Sequence, residues 1–172
     1  MLAGERASVA GTLFEGRRPA PAGEAVALQE LGRRGWRTLA RSRTGTRGRF
    51  RLTYKPRRIG SELVRLRFGG DPAALPSHRR LGRLNSYREV EASWYGGGGS
   101  LACGGWLSSA TMGVASKTLP CGTLVTLRFG SRVVRVPVID RGPYVEGREF
   151  DLTEATKEAL GFGGVGEVWS TS

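Results

Sequence analysis

Apolar and polar residues alternate along most of the first half of the chain, which is the pattern of half-buried β-strands. The clearest run places Phe50, Leu52 and Tyr54 on one face and arginine, threonine and lysine between them, and residues 64–68 repeat the pattern. Glycine and proline residues separate these runs. Several short strands within roughly 90 residues predict a β-sandwich.

The second half shows the same alternation and adds one short helix. Residues 124–129 alternate, and a two-residue turn at 130–131 leads into a second alternating run at 132–140, which predicts a β-hairpin. Apolar residues then recur at helical spacing over 152–160, and Gly161 suits the end of a helix. Short strands with one helix in so short a stretch predict a small barrel. The fold class that we expect is therefore mainly β.

The run at 132–140 ends on an acid where an apolar residue was due. Val134, Val136 and Val138 share one side of the predicted strand, and the next residue on that side is Asp140. A second acid, Asp151, precedes the predicted helix. Asp140 either takes part in chemistry or accepts N–H groups of the following turn. Asp151 has two readings as well, because Asp-Leu-Thr-Glu has the form of a capping box that would only satisfy the first helical turn.

Charge divides the chain near residue 90. Residues 1–90 hold 20 Lys and Arg against 7 Asp and Glu, a net charge of +13, whereas residues 91–172 hold 7 against 8, a net charge of −1. Two classes of composition in one chain indicate two domains. We expect a basic domain at 1–90 and a second domain at 91–172.

The basic half raises the question of an anionic partner. Of the 27 basic residues 24 are arginines, and those in the first half alternate with apolar residues along predicted strands without stacking aromatics beside them. This pattern favours arginines on the solvated face of a sheet over a nucleic-acid surface. An anionic polymer of a cell wall would satisfy the same charges.

Cysteine usage suggests an oxidising compartment. A bridge between Cys103 and Cys121 would stabilise the second half by about 3 kcal/mol, and the alternative is two buried thiols. No CxxC pair accompanies the two cysteines, and the chain has one histidine, His78, which we expect in a proline-bearing loop at 71–80. We therefore expect no metal and no cofactor.

The N-terminus lacks the apolar run of a signal peptide, so we expect a leader that was removed or mis-assigned. No segment approaches the ~20 apolar residues of a membrane span.

The strings VALQE, GWRTLARSRT, GRFRLTYKP and GSELVRLRFGGD in the first half resemble the Ig-like or carboxypeptidase-regulatory-like β-sandwich modules of bacterial surface proteins. This resemblance implies a fold and no chemistry.

The second half carries more specific strings, namely ASWYG, SKTLPCGTLVTLRF and VPVIDRGPYVEGREFDLTEATKEALG. They resemble the RlpA-like family of six-stranded double-psi β-barrels, which is related to expansin and barwin barrels. The resemblance implies a secreted or cell-envelope lytic transglycosylase that acts on peptidoglycan or another wall polysaccharide, with Asp140 in the active site. The relation to expansins implies a polysaccharide groove in which Asp151 is the essential acid, and it leaves open a non-catalytic module that binds or loosens the wall. The resemblance also implies a Cys103–Cys121 bridge, because the cysteine pair fits a subgroup of the family in which such a bridge ties the loop to the barrel.

The chain departs from that family at two polar positions. Its usual glutamate falls on Gly105 and its usual histidine on Ser116. A lytic transglycosylase nevertheless needs only one carboxyl group, because the sugar's own hydroxyl attacks the anomeric carbon and no catalytic water is used. We expect the substrate-binding residues to be Tyr95, Arg141, Tyr144, Ser116 and Lys117. Aromatic residues here, Trp94 included, either stack on sugars or fill the barrel, and Lys117 has the alternative of a plain surface charge.

Overall fold

The computed structural model describes all of residues 1–172, which fold into two compact units. One unit comprises Met1 and Ala3–Ser86, and the other comprises Leu2 and Tyr87–Ser172. Strands dominate both units, which confirms the mainly β class. The α-helix has seven residues and is too short to span a membrane.

The first unit consists of three antiparallel sheets. Its strands are β1 Ala7–Thr12, β2 Phe14–Glu15, β3 Arg18–Pro19, β4 Ala25–Gly32, β5 Gly35–Arg43, β6 Arg49–Tyr54, β7 Gly60–Phe68 and β8 Ser77–Ser86. The four-stranded sheet has the order β5-β4-β7-β8, while β1 pairs with β6 and β2 with β3. A short 3-10 turn at Thr46–Gly48 precedes β6.

The core of this unit lies between two of these sheets. Val26, Leu28 and Val64 come from the four-stranded sheet, and Phe50 and Leu52 come from β6. The alternation read from the sequence therefore buries one side of each strand against the other sheet, as in a sandwich.

One expectation about this unit is wrong. The sequence predicts a loop at 71–80 that contains His78, but β8 already begins at Ser77, and His78 pairs with Arg67 of β7. The cause is the length of β7, which runs to Phe68 and offers partners to residues directly after Pro76. A proline just before a strand is compatible with this, because the missing N–H lies outside the ladder.

The second unit is a closed barrel with one short helix, as expected. Its elements are β9 Arg88–Tyr95, β10 Gly99–Ser100, β11 Trp106–Leu107, β12 Val114–Ala115, β13 Leu124–Phe129, β14 Arg132–Asp140, β15 Phe150–Thr153, α1 Glu154–Leu160 and β16 Gly166–Ser170. Six strands close the barrel in the order β12-β14-β13-β16-β9-β15, and β10 pairs with β11 outside it. The β12–β14 and β15–β9 pairs are parallel and the other barrel pairs are antiparallel.

Apolar side chains from all six barrel strands fill the barrel. The fully enclosed members of this core are Ala92, Val114, Val125, Leu127, Val136, Val138, Phe150, Leu152, Leu160 and Val168. The hairpin of β13 and β14 turns at Gly130, whose φ of 58° suits glycine. The alternation predicts that Phe129 faces inward, but it is 40% exposed at the end of its strand, while Thr126 is buried.

The helix begins later than one reading of the sequence predicts. Strand β15 continues through Thr153, where it pairs with Tyr95, so Asp151 lies inside a strand and cannot cap the helix. The N-cap is Thr153, whose hydroxyl accepts the N–H of Thr156. The capping-box reading of Asp151 is therefore wrong. Gly161 ends the helix in the left-handed conformation with φ of 68°, as expected.

Candidate functional site

The barrel brings the two aspartates to one place. Ala115 of β12 pairs with Asp140 on one side and with Asp151 on the other, so the three residues form one row across three strands. Neighbouring strands lie about 4.8 Å apart, which puts the backbones of the two aspartates about 10 Å apart. Side chains in one row project to the same face of a sheet, so both carboxylates project to the same face of the barrel wall.

A β-bulge makes this row possible. Between Val114 and Ala115 the register shifts, so that Val138 pairs with Val114 while Asp140, two residues on, pairs with Ala115. Ile139 is the extra residue. A bulge re-aims the side chains that follow it, and here it places Asp140 beside Ala115 instead of continuing the buried valine row.

The Asp140 carboxylate is held by the backbone on one of its two oxygens. Its Oδ1 accepts the N–H groups of Ala102 and Arg141, both at 2.9 Å. The main-chain oxygen of Asp140 accepts the N–H of Ser116 at 3.1 Å. No protein group donates a hydrogen bond of normal geometry to Oδ2, so this oxygen is the one available to a ligand.

Asp151 has a different set of neighbours. The buried hydroxyl of Ser93 donates a hydrogen bond to Oδ1, and Arg148 in turn donates from Nη1 to the Ser93 oxygen at 3.4 Å. A Cβ on Gly142 would lie 3.6 Å from the Asp151 Oδ2, and Gly142 has a φ of 138°. The glycine of the Asp-Arg-Gly-Pro string thus keeps the space beside this carboxylate open.

Tyr95 lies next to both acids. Burial raises the pKa of its phenol above the ordinary 10.0, and the charges of Asp140 and, to a smaller extent, Asp151 raise it further. The hydroxyl therefore stays protonated and neutral at physiological pH. Its oxygen is buried and makes no hydrogen bond of normal geometry. The Asp140 carboxylate is nevertheless close enough to attract the hydroxyl proton, which also raises the pKa of Tyr95.

A disulfide fixes the loop that covers Asp140. Cys103 and Cys121 are bonded, which confirms the expected bridge. The N–H of Cys103 donates to the Ile139 oxygen at 3.2 Å, and that of Gly122 donates to the Val138 oxygen at 2.8 Å. Both arms of the bridged loop are thus tied to the last residues of β14, directly before Asp140.

Three of the expected binding residues, Arg141, Ser116 and Lys117, differ in their exposure and hydrogen bonds. The Arg141 guanidinium turns away from Asp140 and donates from Nη1 to the main-chain oxygens of Ser116 at 3.0 Å and Leu119 at 2.8 Å. Ser116 is only 1% exposed, and its hydroxyl accepts the N–H of Leu119. Lys117 is exposed. Arg141 and Ser116 therefore shape the loop, and we place neither among the sugar-contacting groups.

Exposed aromatic rings lie on the segments that adjoin the two acids. Tyr144 is 83% exposed, and its ring lies 3.9 Å from the point that a Cβ on Gly142 would occupy, beside Asp151. Trp106 is 68% exposed and directly follows the loop whose Ala102 N–H binds Asp140. Trp94, by contrast, lies under Lys157, whose Nζ is 3.8 Å from the ring centre.

Several of these groups were not found from the sequence. Ser93 could have been found, because it stands two residues before Tyr95 on the same side of a predicted strand. Trp106, Arg148 and the Ala102 N–H gave no pattern, since their roles depend on how loops fold back over β14. Gly105, where a glutamate is usual, has a φ of 90° and open space around it, so no other acid fills that position.

Comparisons with known proteins show what the barrel is similar to. Residues 87–169 match the family described as "Lytic transglycolase". The chain is 36% identical over 126 residues to the probable endolytic peptidoglycan transglycosylase RlpA of Synechocystis sp. (strain ATCC 27184 / PCC 6803 / Kazusa), a match that covers 63% of this chain and 39% of that protein. It is 43% identical over 76 residues to the probable endolytic peptidoglycan transglycosylase RlpA of Aquifex aeolicus (strain VF5), covering 41% of this chain and 33% of that protein.

The chain thus spans well under half the length of these two relatives. Among solved structures, the Streptomyces papain inhibitor (SPI) is similar to 48% of this chain and over 92% of its own, with 24% identity and a TM-score of 0.38. With a TM-score this low, the likeness says nothing about function.

Proposed function

We propose that residues 87–169, which match the lytic transglycosylase family, cleave peptidoglycan glycan strands as the RlpA relatives' names describe, and that Asp140 is the acid and base. The observation that carries the proposal is the placement of Asp140. Its Oδ1 is saturated by two backbone N–H groups, while its Oδ2 is free of such donors beside a second carboxylate. Such an arrangement fixes which oxygen meets the substrate.

The reaction needs no other protein acid. A proton on Asp140 Oδ2 passes to the glycosidic oxygen as its bond to the anomeric carbon breaks. A hydroxyl of the same sugar then bonds to that carbon and returns its proton to Asp140, so an anhydro ring forms and no water is consumed. One carboxyl group thus serves both steps, which fits a chain that has Gly105 and Ser116 at the family's other polar positions.

Asp151 and Tyr95 contribute electrostatics in this proposal. Positive charge develops on the sugar ring as the glycosidic bond breaks. The carboxylate of Asp151, on a nearby strand of the barrel, stabilises this charge. The neutral phenol of Tyr95 lies beside both acids without adding charge. Arg148 holds Asp151 in position through Ser93.

The exposed rings supply sugar contacts. Tyr144 and Trp106 present uncovered aromatic faces on the two segments that adjoin Asp140 and Asp151, and sugar C–H groups stack on such faces. Lys117 adds a positive charge at the edge of the same loop. The peptidoglycan-directed family and the disulfide together point to the cell envelope as the location.

The test is to incubate the full chain with purified peptidoglycan and to search for anhydro-muropeptides by mass spectrometry. Asp140→Asn should lower their yield by about 100-fold or more, the usual contribution of general acid–base catalysis. Asparagine keeps the oxygen that accepts both N–H groups, so the loop should stay folded. Glu146→Gln, an exposed carboxylate in the same 140–151 segment, is the matched control and should retain activity.

The proposal fails if the wild-type chain releases no anhydro products, or if Asp140→Asn releases as much as the control. Products that carry a water in place of the anhydro ring would identify a hydrolase instead.

A second candidate is a non-catalytic module that binds the wall. It is favoured by the open backbone at Gly105 and the buried hydroxyl of Ser116, which leave the site without the polar groups usual in the family at these two positions. Pull-down on insoluble peptidoglycan separates the two candidates. Binding that persists while no soluble product appears supports the module.

A further inference from the structure

The four-stranded sheet of the first unit has one face in the core and one face in solvent. Val26 and Leu28 of β4 belong to the core, so Ala27 and Gln29 lie on the other face, where Gln29 is only 6% exposed and accepts a hydrogen bond from Arg65. Ala27 pairs with Arg41 on one side and with Arg67 on the other. Gln29 pairs with Arg65, Arg65 with Arg80, and Leu63 with Arg83. We call the outward set of Arg41, Arg65, Arg67, Arg80 and Arg83 the arginine face.

No strand position on this face carries an acid. Glu30 and Glu62 belong to the strands that form it, but they pair with Val64 and Leu84 in the rows that alternate with the arginine rows. Arginines directly opposite each other, such as Arg65 and Arg80, repel and destabilise a sheet. Five cations without a carboxylate in their rows therefore cost stability unless an anion from outside neutralises them.

One of these arginines is already oriented for binding. Arg65 donates from Nε to the Gln29 Oε1 at 2.9 Å, and its guanidinium lies 4.1 Å from the centre of the Trp36 ring. Both contacts leave the Nη groups of Arg65 without protein acceptors. A guanidinium fixed in this way presents its remaining N–H groups as a fork, which matches phosphate geometry.

We propose that the arginine face binds a linear polyanion of the cell wall that carries a phosphodiester in each repeat. The cations are spread over several strands at spacings of about 5 to 10 Å, set by the strand separation and the two-residue repeat. An extended chain of phosphates can contact several of them at once, whereas a single small anion can contact few. This proposal uses the proposed function only for the location, and it does not depend on cleavage by the barrel.

A nucleic acid is the other polymer that carries such charges, and the face suits it less well. Proteins that bind single strands combine basic residues with aromatic rings on which bases stack. The aromatic ring on this face is Trp36, and the Arg65 guanidinium already covers it. The face thus offers groups for a phosphate backbone and no uncovered ring for bases.

The experiment measures binding of the full chain to a synthetic poly(glycerol phosphate) over a range of salt concentrations. The triple variant Arg41→Gln, Arg67→Gln, Arg80→Gln should bind roughly 100-fold more weakly, since each cation facing a polyanionic surface contributes about fivefold. The slope of log Kd against log salt should fall by about 2, because three fewer phosphates are neutralised.

The matched control is Arg17→Gln, Arg57→Gln, Arg58→Gln, which removes the same charge from exposed arginines outside the face. It should keep most of the affinity at 0.15 M salt, where charges more than about 8 Å away are screened. Equal losses in the two triple variants, no binding by the wild-type chain, or tighter binding to single-stranded DNA of equal charge would each overturn the proposal.

Release of anhydro-muropeptides should be unchanged in both triple variants. A chain that cleaves glycans but does not bind the polyanion overturns this inference alone, and a chain that binds without cleaving leaves it standing.

Discussion

Tyr95 connects the two aspartates at the scale of single residues. Its hydroxyl is buried without a hydrogen bond of normal geometry and lies beside carboxylates from two strands. A buried hydroxyl without a partner costs about 1 to 3 kcal/mol. Such a cost is expected at a functional site, where the arrangement serves a ligand more than the fold.

Replacement of Tyr95 by phenylalanine tests this interpretation. Because the buried hydroxyl makes no hydrogen bond of normal geometry, Tyr95→Phe should raise the free energy of unfolding by about 1 kcal/mol. Urea denaturation measures the change, and Tyr144→Phe, which removes a hydroxyl from an 83% exposed ring, should leave the stability unaltered. A loss of stability in Tyr95→Phe would show that the hydroxyl has a partner after all.

The wild type and Tyr95→Phe should also differ in alkaline solution. The pKa of Tyr95 is raised above its ordinary 10.0, so above pH 10 the unfolded chain releases this proton more readily than the folded one. The wild-type chain therefore keeps its full stability below pH 10 and loses stability as the pH rises beyond it, because ionisation of the buried phenol is disfavoured in the folded state. The advantage of Tyr95→Phe over the wild type, measured by urea denaturation at each pH, should therefore grow above pH 10.

At the scale of elements, the sequence predicted what depends on local patterns. The hairpin of β13 and β14 and Gly161 as the helix end both follow from alternation and turn chemistry within a few residues. The bulge at Ile139 could not be predicted, because it results from pairing with β12, a strand far away in the chain. The capping-box prediction failed for a similar reason, since pairing of β15 with β9 extends the strand through Thr153.

Because Thr153 is the N-cap of the helix, Thr153 and Asp151 should differ in what they contribute to the free energy of unfolding. Thr153 is fully buried, accepts the N–H of Thr156 and donates to the Gly113 oxygen at 3.2 Å. Thr153→Ala should therefore lower the free energy of unfolding by about 2 kcal/mol. Asp151→Asn keeps the oxygen that accepts from Ser93, and its effect should be much smaller.

Chemical denaturation, monitored by circular dichroism, gives the free energy of unfolding of both variants. Thr118→Ala, at an exposed position, is the control for loss of a threonine hydroxyl. If Asp151→Asn proves the more damaging of the two substitutions, Asp151 contributes to the helix start despite its place in the strand.

At the scale of the whole molecule, residue composition could be interpreted from the sequence, whereas the pairing of distant strands could not be predicted. The change in charge near residue 90 and the two cysteines in the second half are visible without coordinates. The row of Asp140, Ala115 and Asp151 is not, because it needs two long-range pairings, one parallel and one antiparallel. The arginine face needed the register of four strands, although the alternation of arginines indicated a solvated sheet face.

The two units have separate cores and should unfold in two steps. Leu52 is 1% exposed in the core of the first unit, and the Cys103–Cys121 bridge lies in the second.

Leu52→Ala removes buried contacts and should lower the free energy of unfolding of the first unit by about 2 to 5 kcal/mol. Replacement of both cysteines by serine should cost about 3 kcal/mol, since the unfolded loop gains freedom. In differential scanning calorimetry each change should lower one of two transitions and leave the other in place. A single transition that both changes lower would show that the units unfold together, and the division into independent domains would then be wrong.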